Sequence, residues 1–174
     1  MSLMCARGCV KKCAFCAERL LYKKYRVSPH EKILEQMSEG MDKGITHFVF
    51  HDSLINGDLR ALGVLVNAMR DKFESRARWE AQIAIRNDMP DELLEAMRDS
   101  GCCHLFVGLE SGSDAVLSRM KKGYTSGDAL IFLKQLSRLG ISFGISLIVG
   151  YPDESEEDFN DSLDFVLKNK DVIQ

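Results

Sequence analysis

Five short apolar runs, each followed by a helix with a readable start and stop, constrain this chain more than any other feature. The runs span residues 3–6, 47–51, 79–85, 103–109 and 141–149, and they have strand composition. Between them lie amphipathic stretches with helix punctuation. Ser28-Pro29-His30-Glu31 reads as a capping box with proline at the first helical position, and that helix is expected to run to about Asp42, before Gly44. Asp58 caps a second helix through Phe73, and a third covers residues 90–99, ahead of Gly101. Helices over 115–120 and 126–139 follow, the latter closed by Gly140. Ser155-Glu156-Glu157-Asp158 opens the last one in a variant capping box. Strands that alternate with helices imply a parallel sheet, because parallel neighbours need long crossover connections. With 174 residues, 45% of them hydrophobic, the chain can bury a proper core, and no Pro-, Gly- or Ser-rich linker divides it. No G-x-G-x-x-G loop follows the first strand, which weakens a dinucleotide-binding reading. The expected class is α/β: a single domain forming a partial TIM-type (βα) barrel of about five units.

In such a barrel, the loops after the strands carry function. The first of these loops reads Cys9-Val10-Lys11-Lys12-Cys13-Ala14-Phe15-Cys16, a C-x3-C-x2-C run. Thiolates this close together converge on a soft metal, and an iron–sulfur cluster fits that donor set best. Three local ligands leave one iron of a four-iron cluster open to a further partner. Disulfides are a poor account of the six cysteines, since the chain is too large to need staples and shows neither a signal peptide nor a transmembrane span. A reducing, cytoplasmic setting is the expectation. Structural zinc is the stronger competitor, but zinc modules pair two C-x2-C knuckles, and Cys102 and Cys103 could complete one only if the fold brought them near. Cys5, Cys102 and Cys103 otherwise read as small buried hydrophobes in strands. Met37, Met41, Met69 and Met97 have the spacing of helix core contacts.

Charge is uneven although the net value is only −3. Residues 1–26 hold seven Lys/Arg (Arg7, Lys11, Lys12, Arg19, Lys23, Lys24 and Arg26) against Glu18 alone. Residues 153–171 hold eight acids against Lys168 and Lys170, as expected of a solvated helix face. The basic start surrounds the cysteines and suits anionic ligands. Too few aromatics accompany it to indicate nucleic-acid binding.

Each of the other strand ends also carries polar or close-approach residues: His51-Asp52, Arg86-Asn87-Asp88, Glu110-Ser111 and Gly150-Tyr151. Together with the cysteine loop they describe one site. Simpler roles exist for each. Arg86 and Glu110 also fit a structural ion pair, His51 a hydrogen-bonded rim residue, Asp52 a cap on the turn at Asn56-Gly57, and Gly150 a tight turn.

With these motifs in view, the chain resembles the radical S-adenosylmethionine enzymes. The resemblance runs through the segment 7–16, then Phe48-Val49-Phe50-His51-Asp52, Arg86-Asn87-Asp88, Gly108-Leu109-Glu110-Ser111-Gly112-Ser113, Met120-Lys121-Lys122-Gly123 and Gly150-Tyr151-Pro152-Asp153-Glu154-Ser155. It is greatest for the cobalamin-associated group and the methylthiotransferases of tRNA and ribosomal protein. The resemblance implies a 4Fe–4S cluster on Cys9, Cys13 and Cys16, with S-adenosylmethionine chelated at the fourth iron and reductively cleaved to a 5′-deoxyadenosyl radical. It implies Phe15 beside the cluster and adenine, the loop of His51, Asp52 and Ser53 at the methionyl amino group, and Arg86 at the methionyl carboxylate. Glu110 or Ser111 is then expected at the ribose, with Gly150 and Tyr151 at the adenine. An external electron donor of flavodoxin or ferredoxin type, and cobalamin through a domain not in this chain, complete the expectation.

The sequence also departs from that family. Its barrels commonly have six βα units, whereas five are legible here, ending at Asp171-Val172-Ile173-Gln174. The chain is therefore expected to be a fragment of a longer enzyme, with an open sheet edge that a second copy could pair. Asp153 stands where glycine is usual. Two function classes remain open: a radical S-adenosylmethionine core for methyl or methylthio transfer, and a non-catalytic iron–sulfur or zinc module that carries electrons or holds the fold.

Overall fold

The computed structural model describes residues 1–173, apart from the side chain of Arg19; Gln174 lies outside the described residues. A five-stranded parallel sheet has the order β1 (Ser2–Leu3), β4 (His47–Phe50), β5 (Arg78–Ile83), β6 (Cys102–Glu110) and β7 (Ser142–Leu147). Strand order follows chain order without a reversal, the arrangement of a barrel rather than of a doubly wound sheet. The crossovers are α2 (His30–Asp42), α3 (Leu59–Phe73), α4 (Asp91–Asp99), and α5 (Asp114–Arg119) with α6 (Ser126–Arg138); α7 (Glu156–Lys168) follows β7. Among the described residues, β1 and β7 are the edge strands, and no helix is long and apolar enough to cross a membrane.

The first predicted strand is split. Leu3 ends β1, and the chain then turns so that the Cys5 and Ala6 amides donate to the Asp52 carboxylate. Ala6–Arg7 then forms β2, which pairs antiparallel with β3 (Arg26–Val27) outside the main sheet. The capping box expected at Ser28 does not form either. Ser28 donates its N–H to the Cys5 carbonyl and closes the β2–β3 hairpin, so Pro29 occupies the N-cap without a side-chain cap. Asp58 does cap α3, accepting from Ala61 N, and Ser155 and Asp158 form a reciprocal box at α7.

Strand periodicity divides the sheet into two unlike faces. Phe48, Phe50, Trp79, Ala81, Ile83, Leu105, Val107 and Leu109 are buried in the core that also holds Met37, Met69 and Met97. The residues that face the other way are mostly polar or small: Glu80, Gln82, His104, Gly108 and Glu110, with Ser142, Gly144 and Ser146 beside them on β7; the half-exposed Phe106 is the large apolar exception. The opposite face of the sheet is therefore built to meet water or a ligand, and it leads up to the carboxyl ends of the strands.

Candidate functional site

The cysteine loop leaves β2 and lies at the carboxyl end of the sheet. Cys9 and Cys13 are half-buried and Cys16 is exposed. Local turns point amides at sulfur: Lys11 N–H donates to Cys9 Sγ at 3.4 Å and Glu18 N–H to Cys16 Sγ at 3.5 Å. Such donors stabilise thiolates, and a soft-metal cluster needs thiolate ligands. Burial pushes the Cys9 thiol up, and the nearby Cys13 and Cys16 sulfurs add to that shift, so metal binding there must displace a proton. Among the described residues, no three His, Cys, Asp or Glu side chains form a ready-made grip on a single metal ion. The donor set fits a cluster whose ligands sit on several irons.

A wall of side chains is fastened to this loop. Ala14 N–H donates to the Met120 carbonyl at 2.9 Å, tying the loop to the end of α5. That bond sets Phe15 against Tyr151 edge to face, with ring centroids 6.4 Å apart. Lys122 is only 8% exposed, and its ammonium lies 5.8 Å from the Phe15 centroid and 5.7 Å from that of Tyr124. Lys122 also donates to Glu110 Oε1 at 3.1 Å, while Ser146 Oγ donates to Oε2 of the same carboxylate at 3.0 Å. Glu110 is the bulged last residue of β6, with φ of 72° in the left-handed region. A side chain at Gly108 would fall 2.6 Å from Glu110 Oε1, so glycine clears the space that the carboxylate occupies. The Tyr124 hydroxyl donates to the carbonyls of Gly108 and Leu109, and burial pushes that phenol upward.

The other expected site residues separate into two groups. Phe15, Glu110, Tyr151 and the three cysteines come together as described, and Gly150, with φ of 76°, leads into Tyr151. Arg86 lies at the rim but is fully engaged by Asp88, in a two-pronged pair at 2.8 and 2.6 Å, and by the carbonyls of Asn56 and Gly57. The Arg86–Glu110 ion pair does not form, since each side chain has found another partner. Asp52 is turned inward, where it accepts from Cys5 N, Ala6 N and Cys5 Sγ; it pins the start of the cysteine loop rather than the Asn56-Gly57 turn. Ser111 is buried against α7, sharing a 2.9 Å hydrogen bond with Ser162. His51 keeps an exposed side chain, and its N–H donates to Leu3 O. Cys102 and Cys103 begin β6, at the opposite end of the parallel strands, where Cys103 Sγ donates to Trp79 O. They cannot complete a zinc site with the loop. Lys122, Tyr124 and Ser146 escaped individual notice in the sequence; the only signal was Lys122's place in a family-like segment.

Comparison with known proteins gives the family and the fold. The model of the Radical SAM superfamily matches residues 3–166. A tRNA-2-methylthio-N(6)-dimethylallyladenosine synthase of Ruegeria pomeroyi is 30% identical across 91% of this chain and 38% of its own length. An uncharacterised methyltransferase of Pyrococcus horikoshii is 27% identical across 95% of this chain and 36% of its own. The chain thus spans less than two fifths of the length of these relatives. Among solved structures, the radical S-adenosylmethionine methyltransferase TsrM of Kitasatospora setae superposes with a TM-score of 0.88, at 18% identity, over 97% of this chain and 34% of its own. The cobalamin-dependent S-adenosylmethionine radical enzyme OxsB gives a TM-score of 0.83, at 22% identity, over 95% and 26%.

Proposed function

This chain belongs to the radical SAM superfamily, and from that premise we propose that it is the core that binds a 4Fe–4S cluster and S-adenosylmethionine in an enzyme of methyl or methylthio transfer. Bound there, the pair supplies reductive cleavage of the sulfonium C–S bond, giving methionine and a 5′-deoxyadenosyl radical for hydrogen abstraction. Cys9, Cys13 and Cys16 hold the cluster, and the amides of Lys11 and Glu18 offset charge on two of the sulfurs. Phe15 and Tyr151 shield one side from water and leave the Gly150 backbone to border the adenine. Among the described residues, Lys122 is a buried cation that lies over the Phe15 ring, so the methionyl carboxylate is assigned to it; Arg86 is paired with Asp88 at the rim. Glu110 takes the ribose hydroxyls, since Ser111 faces α7. With the Asp52 carboxylate turned inward, the methionyl amino group falls to Ser53 and the backbone of its loop.

The observation that carries this reading is the tie from Ala14 to Met120, which sets the cysteine loop beside the Lys122–Glu110–Ser146 network. Methyl or methylthio transfer rests on the kinds of relative that match; cobalamin, held by a domain outside this chain, is part of the same proposal. Anaerobic reconstitution with iron and sulfide, followed by dithionite and S-adenosylmethionine, tests it. The expected results are an iron–sulfur EPR signal that S-adenosylmethionine perturbs and the release of 5′-deoxyadenosine. A signal indifferent to S-adenosylmethionine would leave only an electron carrier or structural module.

A further inference from the structure

The proposed reaction consumes an electron, and we propose that Leu20, Leu21, Tyr22, Lys23, Lys24 and Arg26, beside Cys16, form the docking face for an acidic one-electron carrier protein. The inference rests on the iron–sulfur reading above. Cys16 is the exposed cysteine of the three, and α1 (Glu18–Leu21) begins two residues after it, with Glu18 N–H donating to Cys16 Sγ. On this four-residue helix Leu20 is 84% exposed and Leu21 72%, far beyond what burial in this chain would leave. Adjacent exposed leucines cost solubility, and apolar surface rimmed by charge marks a contact site.

The rim here has one sign. Lys23, Lys24 and Arg26 are exposed, and the β2–β3 ladder sets Arg26 directly opposite Arg7. Like charges across a ladder destabilise it, so this pair is a local cost that an acidic partner would relieve. Glu18, whose carboxylate accepts from Ser53 Oγ, is one acid against Arg7, Lys23, Lys24 and Arg26, so the patch stays positive. The basic segment also lies on the cysteine loop itself: a side chain at Gly8 would meet Tyr22 Cβ at 3.1 Å and the Lys24 carbonyl at 3.0 Å. An apolar centre of two leucines with a basic rim suits an acidic protein surface better than a nucleic acid, which calls for stacking aromatics along a basic track. At this face the carrier would lose one electron and the iron–sulfur cluster that Cys9, Cys13 and Cys16 would hold would gain it; no bond, proton or group moves.

The test is stopped-flow oxidation of flavodoxin hydroquinone by the reconstituted protein, for the parent, a Lys23→Glu/Lys24→Glu variant and a Leu20→Ser/Leu21→Ser variant. Charge reversal should slow the second-order rate about tenfold at low salt and converge on the parent at about 0.5 M salt, where screening removes steering. The leucine variant should be slow at every salt concentration. Dithionite should reduce all three proteins equally, with equal 5′-deoxyadenosine release on addition of S-adenosylmethionine. Parent-like rates in both variants, with that control intact, overturn the docking proposal alone. A parent inactive even with dithionite overturns the function reading and this inference with it. If unmodified tRNA binds tightly and loses affinity in the charge-reversal variant while carrier rates stay parental, the face belongs to RNA and the inference falls.

Discussion

Asp52 is an anion that folding has taken out of water, and its consequences are measurable. Burial raises its carboxyl above the ordinary 3.8, more than the hydrogen bonds from Cys5 and Ala6 lower it. Above 3.8 the folded state therefore holds this proton more firmly than the unfolded chain, and the group's contribution to stability falls as pH rises through the raised value. Asparagine does not titrate. Urea midpoints for the parent and Asp52→Asn should draw together from 3.8 toward neutrality, and a gap constant with pH would contradict the assignment. Lys122 is the complementary case. Lys122→Gln should leave iron content unchanged, weaken S-adenosylmethionine binding at least about tenfold, and cost about 1–3 kcal/mol in stability by leaving Glu110 unpaired. Isothermal titration and denaturant melts check both parts. In the sequence the three cysteines were legible because their spacing is local. The inward turn of Asp52 was not, since its partners lie 46 and 47 residues away.

Elements show the same division. The boundaries of α2 to α6 and the start of α7 were legible to within a residue or two, because caps and glycine stops act over one turn, whereas the four-residue α1 carried no such signal. What docks them was hidden. The Ser111-Gly112-Ser113 segment resembled a ligand-binding signature, yet here it seats α7: Gly112 N donates to Ser162 Oγ, and the Ser113 hydroxyl donates to Asp158. A Cβ at Gly112 would lie 2.7 Å from Phe165 Cβ and 2.8 Å from Ser162 Cα. Gly112→Ala should therefore push α7 off β6 and cost about 1–3 kcal/mol, an overpacking penalty read from thermal melts. Asp153, standing where glycine was expected, adopts φ of 63°, so the turn keeps the left-handed backbone that glycine would supply.

For the whole molecule, order within the sheet predicts a gradient of local stability. β5 and β6 are flanked on both sides and carry the fully buried Trp79, Leu105 and Val107, while β1 and β7 lie at the edges. Native-state hydrogen exchange should show the β5 and β6 amides opening only with global unfolding, and those of β7 at lower free energy. Uniform protection would contradict this. Taken alone, the sequence determined the α/β class with its parallel sheet and singled out Cys9, Cys13 and Cys16 as the expected thiolate donors. Each of these is written in short-range patterns: period-two and period-3.6 hydrophobicity, caps, and ligand spacing within one loop. Only the tertiary structure decided which strand-end charges face the loop, since a buried charge goes to whichever partner the fold brings within hydrogen-bonding distance. Arg86 went to Asp88, Asp52 to the backbone of Cys5 and Ala6, and Lys122 to Glu110 beside Phe15.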